Sequence, residues 1–206
     1  MIHKISMKLA ERIGIKSNME SDMVEVAAYG FEVAIEMLLN ILALLAIGGI
    51  TGLGKFVWLF LALYMPLRTC AGGFHASNYT KCFILSILII LLLIAVIQYC
   101  PVQILFVASI VMAVISIPMI MVTPPVENHN KKISLAKSKK YQRRTRIVVM
   151  CQTVLWIVLH SLGLHLYGFT VAFTLFAVFI LGLMGKYSLK KGRESQNTVN
   201  QAHADA

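Results

Sequence analysis

The chain has 206 residues, 58% of them hydrophobic and 14% charged, with 19 Lys and Arg against 9 Asp and Glu and a formal net charge of +10. A soluble domain of this size has no use for so much apolar sequence, whereas a chain that crosses a bilayer several times needs it. The basic excess suits acidic partners or anionic lipid headgroups, and it argues against nucleic acid because no aromatic platform or polar folded domain accompanies it.

The chain opens with Ile2, Ile5, Leu9 and Ile13 at helical spacing and Lys4, Lys8, Glu11 and Arg12 between them. No apolar core of signal-peptide length and no small-residue cleavage site follows. Residues 1–28 are therefore expected to form an amphipathic helical stretch, lying on the membrane surface or packed on the bundle. Ser17-Asn-Met-Glu20 has the pattern of a capping box that opens a second helix. Apolar runs then follow near residues 31–50, 54–67, 83–100, 102–122, 147–166 and 168–186. The second is short for about 30 Å of hydrocarbon and borrows from Tyr64-Met-Pro-Leu67. The first carries Glu32, Glu36 and Asn40 and is the least lipid-like. Residues 194–206 are polar and expected to be disordered. The predicted fold is an all-α polytopic membrane protein with six spans, one membrane domain over residues 1–193.

The basic residues give an orientation. Eighteen of the 19 Lys and Arg lie before the first span, in the segment from Arg68 to Lys81, in residues 131–146, or from Lys186 to Arg193; Lys55 is the exception. Six spans put those eighteen on one side, with both termini in the cytoplasm. Cys70, Cys82 and Cys151 then fall toward the reducing side, and Cys100 toward the outer face, so no disulfide framework is expected. No metal-ligand spacing such as Cys-x-x-Cys occurs, and no cofactor is expected.

Residues 68–82, Arg68-Thr-Cys-Ala-Gly-Gly-Phe-His75 with Cys82 beyond, interrupt the apolar sequence with Arg, two glycines, His and Asn. Such a break is costly in a membrane and points to function. Cys82 is placed to be a nucleophile: it follows Lys81 and begins an apolar helix, and both a cation and a helix N-terminus favour thiolate. His75 is the base beside it. In one straight helix the two would be offset by about 10 Å along the axis, whereas proton transfer needs about 3 Å. The segment must fold back, and Gly72-Gly73 and Ser77-Asn78 supply the turn residues. A residue that orients His75 has to be Asn78 or come from farther away, from Glu36 or Glu32; a dyad with no third member is equally allowed. The alternative reading is a re-entrant loop with a structural His and a buried Cys. His160 and His165 have no nearby Cys and read as interfacial or packing residues.

Residues 123–146 form the second polar segment, a basic loop. Lys131, Lys132, Lys137, Lys139, Lys140, Arg143, Arg144 and Arg146 stand there against Glu127 alone. They suit docking of an acidic partner or lipid headgroups, or simply set the topology.

Arg68-x4-Gly73-x-His75-Ala76-x5-Cys82, together with Pro124-Pro-Val-Glu-Asn-x-Asn130-Lys131, resembles the AgrB family of accessory gene regulator B proteins of Gram-positive bacteria. Length, six spans and basic loop agree with it, while Lys132-Ile departs from the Lys-Pro that often closes the second motif. The resemblance implies a membrane-embedded cysteine endopeptidase at the cytoplasmic face of the cell membrane. It would remove the acidic tail of a small AgrD-like quorum-sensing propeptide and help close the remainder into a thiolactone or lactone ring. By that resemblance His75 and Cys82 are the catalytic pair, Arg68 and Gly73 are supporting residues, and a homodimer is expected. A transporter or channel using Glu32 and Glu36 is the competing class, and a non-catalytic membrane scaffold a third. Neither explains the Cys–His spacing, and tolerance of Cys82→Ala separates them from a peptidase.

Overall fold

The computed structural model describes residues 2–17, 21–71, 79–122 and 135–204, and side chains at 6–13, 23–70, 83–122 and 141–187. Among them the fold is all-helical: α1 (Ile2–Ser17), α2 (Ser21–Ile50), α3 (Gly54–Ala71), α4 (Tyr79–Tyr99), α5 (Val102–Val122), α6 (Leu135–Ser161) and α7 (His165–Ala204). By length and composition, Met23–Ile50, Val102–Val122 and His165–Tyr187 can cross a membrane, and Phe83–Tyr99 is a shorter apolar helix. Large apolar side chains stand exposed on all these helices, among them Val26, Leu42, Leu88, Leu92, Val107, Val111, Val154 and Ile157. Water does not tolerate such a surface, and a bilayer does.

The core forms around α7, against which α3, α5, α6 and, to a smaller extent, α4 pack. Phe169, Thr170, Val171, Ala172, Thr174 and Leu175 have no access to solvent. Thr170 and Thr174 bury their hydroxyls by donating to the carbonyls of Leu166 and Thr170 one turn back, at 2.9 and 2.8 Å. On α5 the face toward the bundle is Leu105, Ser109, Ala113, Ser116 and Ile120, spaced by three or four residues. Small residues at its middle let the α5 and α7 backbones approach, which is how helices associate where lipid removes the hydrophobic drive.

Several boundaries differ from those expected. α1 ends at Ser17 and residues from Ser21 onward belong to α2, so the stretch 1–28 is two elements, the second being the helix expected after Ser17-Asn-Met-Glu20. α1 packs along α2, burying Ser6 and Ala10 on one side and Ala28 on the other, while Leu9 and Ile13 keep an exposed apolar edge. The fifth apolar run ends at Ser161, five residues early. There Gly163, at φ 75°, turns the chain, its N–H bonding to His160 O at 3.1 Å and that of Leu164 to Leu159 O at 2.9 Å. This is the paired bonding of a Schellman cap, in which glycine takes the left-handed position without strain. Residues 135–146, expected as loop, begin α6; Lys, Arg and Gln are good helix formers, and no Pro or Gly interrupts them. α7 likewise continues through residues 194–204, where Glu, Gln and Ala suit a helix.

Candidate active site

Arg68 stands in the last turn of α3. Its guanidinium carbon lies 5.7 Å from the centroid of the Tyr64 ring one turn back, and Tyr64 stacks on Phe60 with centroids 5.1 Å apart. The aromatic column therefore carries the cation on its end. Pro66 sits between them inside the helix. It has no N–H to offer Ala62 O four residues back, and its ring crowds that turn. Gln152 of α6, 3% exposed, reaches the same turn, its Nε2 donating to the neighbouring Leu63 O at 2.9 Å.

Cys82 is the fourth residue of α4, in the first turn, where backbone N–H groups have no partner inside the helix. Its side chain, and the whole of Gly73, His75 and Asn78, lie outside the described residues. One turn deeper, Asn40 Nδ2 of α2 donates to Ser86 Oγ of α4 at 3.1 Å. Leu44 of α2 and Ile90 of α4, one more turn on, share a core cluster, as they would if the two helices run in the same direction. Four residues back from the Asn40–Ser86 bond lie Glu36 on α2 and Cys82 on α4. The register thus brings Glu36 level with Cys82, although the two are 46 residues apart in sequence. Glu32, Glu36 and Asn40 are half-buried along one face of α2, while Val33, Met37 and Leu38 on the other side are exposed. The acids of the first apolar run face protein and not lipid.

The ends of α3 and α5, from which the two motif segments lead, also converge. Leu67 near the end of α3, Ile120 near the end of α5 and Val149 of α6 belong to one buried cluster with Val171, Leu175 and Val178 of α7. Of the basic residues, Lys131 and Lys132 lie outside the described residues, as do the side chains of Lys137, Lys139 and Lys140. Arg143 and Arg144 are exposed. Thr145, Val149 and Gln152 mark the buried face of α6. Arg146 has a structural task, its Nε donating at 3.3 Å to Met121 O, one of the carbonyls left open at the C-terminus of α5. Cys70, Cys100 and Cys151 are free thiols.

Sequence reasoning missed Gln152, Ser86 and Tyr64. Gln152 carried a readable signal, a strongly polar side chain within an apolar run, whereas the other two acquire a role only through the neighbours the fold gives them.

The model of the family Accessory gene regulator B, AgrB, matches residues 2–187. A protein of Clostridium perfringens strain 13 named "Putative AgrB-like protein 2" is 24% identical over 172 residues, 81% of this chain and 79% of its own. A "Putative AgrB-like protein" of C. perfringens strain SM101 is 22% identical over 191 residues, 89% and 88% of the two chains. A protein of the same name from Halalkalibacterium halodurans is 30% identical over 93 residues, 44% of this chain and 46% of its own. No solved structure matches the chain significantly. With the match running from the first turn of α1 to the exposed Tyr187 of α7, the chain belongs to the AgrB family, whose members take part in the processing of quorum-sensing propeptides.

Proposed function

We propose that the chain is a membrane-embedded cysteine endopeptidase that cleaves the acidic tail from an AgrD-like propeptide and passes the acyl group on to a residue of the peptide itself. Cys82 is the nucleophile, and the observation that carries the reading is its position in the first turn of α4 within a chain of this family. Unpaired N–H groups and Lys81 favour the thiolate there. His75 takes the thiol proton. The thiolate attacks the carbonyl at the end of the signal segment, and protonated His75 returns the proton to the departing amine of the tail. The Cys82 thioester is then displaced by a Cys or Ser of the substrate, closing a thiolactone or lactone ring and regenerating the Cys82 thiol. Thiol exchange nearly balances in bond energy, whereas water would hydrolyse the thioester irreversibly, so a dry cleft favours the ring.

In this reading six helices, α2 to α7, cross the membrane, and both termini and the Cys82 end face the cytoplasm. Arg68, on its aromatic column at the end of α3, supports the cleft together with Gly73. Glu36, level with Cys82, is the preferred third member, and Asn78 is the local alternative. The basic start of α6 holds the acidic tail: cations at i, i+4 such as Lys139–Arg143 and Lys140–Arg144 repel one another until an anion joins them.

Co-expression with the propeptide tests the reading, with mass spectrometry following the released tail and an acyl adduct on Cys82. Wild type should release the tail; Cys82→Ala and His75→Ala should not, and Glu36→Gln should slow the release without removing the adduct. Tail release by Cys82→Ala at the wild-type rate would leave the central segment structural and return the transporter and scaffold readings.

A further inference from the structure

At the other end of the bundle, two histidines form a cluster that the peptidase chemistry does not use. His160, in the last turn of α6, and His165, the first residue of α7, flank the Gly163 turn. Their Nδ1 atoms are 3.2 Å apart. His160 Nε2 lies 2.8 Å from Ser109 Oγ of α5, and Ser109 Oγ donates to Phe106 O at 2.8 Å. The edges of both imidazoles meet Phe106, and His160 also meets Trp156, each with centroids 5.1 Å apart. On the fourth side the ring lies against the α7 backbone at Gly168. A Cβ at Gly168 would come within 2.7 to 2.9 Å of three atoms of the imidazole.

The protons in this cluster can be placed from what each atom is able to do. A carbonyl only accepts, so the Ser109 proton goes to Phe106 O and Ser109 receives one from His160 Nε2. His160 Nδ1 is then bare, and the bond across 3.2 Å is donated by His165 Nδ1–H. One chain of three donations runs from α7 through α6 to α5, complete with both imidazoles neutral. A second proton on His165 leaves it intact. With His165 so protonated, a further proton on His160 Nδ1 destroys it, because two N–H groups then face each other. A shared metal ion does not fit. The ring centroids are 5.4 Å apart, a separation reached when the two Nδ1 atoms point at one another, and no third His, Cys, Asp or Glu joins them among the described residues.

Nothing nearby would neutralise two imidazoliums. α5 presents Phe106 and Ser109, α6 Trp156, and α7 Gly168. On α3 the adjoining charge is Lys55, whose Nζ is 5.8 Å from the centroid of the Tyr167 ring. No carboxylate occurs between residues 37 and 126 or between 128 and 193. We propose that His160, His165 and Ser109 form a proton-sensitive clasp that joins α5, α6 and α7 at the end of the bundle remote from Cys82, closed while the pair carries at most one proton beyond its neutral state and opened when it carries two. The clasp does not depend on the peptidase reading, which only assigns this end to the outer face.

Hydrogen exchange of the full chain in lipid nanodiscs tests it, with rates corrected for intrinsic pH dependence. Between about pH 7.5 and 5.5, on either side of the ordinary imidazole value, amides of residues 158–168 should exchange about tenfold faster at the acid end in wild type. His165→Gln should abolish that response, because its uncharged amide can donate to neutral His160 and accept from the protonated ring. A flat wild-type response, or the same response in His165→Gln, overturns the proposal. Imidazole nitrogen resonances of histidine-labelled wild type give a check that needs no variant. At about pH 7.5 they should report one histidine with Nδ1–H and one with bare Nδ1 in a shared bond, and two histidines each carrying only Nε2–H would overturn it.

Discussion

Gln152 shows what a single side chain does inside this bundle. Pro66 weakens the turn before it, and Leu63 O, in the apolar interior, accepts from Gln152 Nε2. A buried carbonyl deprived of its donor costs about 1–3 kcal/mol. Gln152→Met keeps the length and volume of the side chain and removes the bond, and it should lower stability by about 1 kcal/mol, less than the full penalty because Gln152 Oε1 has no hydrogen-bond partner and its removal is a gain. A fall of a few degrees in the melting temperature of the purified protein checks this, and an unchanged value would mean that the kink is satisfied elsewhere. At this scale sequence discloses chemistry but not partnership. The cost of Asn40, Gln152 or Glu36 among apolar neighbours is readable in advance. That Asn40 meets Ser86, and that Glu36 thereby comes level with Cys82, depends on which helices adjoin and at what height.

Among the elements, α5 and α6 carry opposite lessons. The α5 limits, Val102–Val122, coincide with the apolar run expected there, because Pro101 and Thr123-Pro-Pro125 bracket it. The α6 limits were hidden at both ends. Its first turns are basic, which signals contact with water but is silent about coil or helix, and its last turn is closed by Gly163 within Leu162-Gly-Leu164, which hydropathy alone reads as span. A basic helix offers its charges at fixed spacing, and that makes the docking proposal sharper than a loop would. Reversing Lys139, Lys140, Arg143 and Arg144 to Glu should raise KM for tail release at least tenfold, equivalent to about 1.4 kcal/mol, and leave kcat largely unchanged, since α6 packs on α3, α5 and α7 and not extensively on α4. Arg143→Glu alone should give a smaller rise, and more salt should weaken the wild type toward the variant. Processing by the fourfold variant at the wild-type KM would remove α6 as the dock and leave these charges to lipid headgroups.

The whole molecule is asymmetric from end to end. At one end the bundle helices are joined by two or three residues, 51–53, 100–101 and 162–164. At the other the connections are residues 72–78 and 123–134; the second motif falls within 123–134, and the first runs from Arg68 of α3 across 72–78 to Cys82 of α4. Long connections are where a rigid helical frame can carry chemistry, and the Leu67, Ile120 and Val149 cluster ties the ends of α3 and α5, from which these connections lead, to α6 and α7. Charge follows the same division, with Lys55 the lone basic residue at the short-connection end. In the proposed six-span arrangement eighteen cations share one side, and because translocating a cation costs about 2.3 kcal/mol per 100 mV of membrane potential, the orientation with that side inward is the one this proposal favours. In a background lacking native cysteines, Thr51→Cys and Leu162→Cys should react with a membrane-impermeant maleimide on intact cells. Tyr187→Cys should react only after lysis; all three positions are exposed on the protein, so accessibility reports the side and not burial. Labelling of Tyr187→Cys on intact cells would turn the molecule over, put the Cys82 end outside, and leave a cytoplasmic propeptide with no route to the thiol.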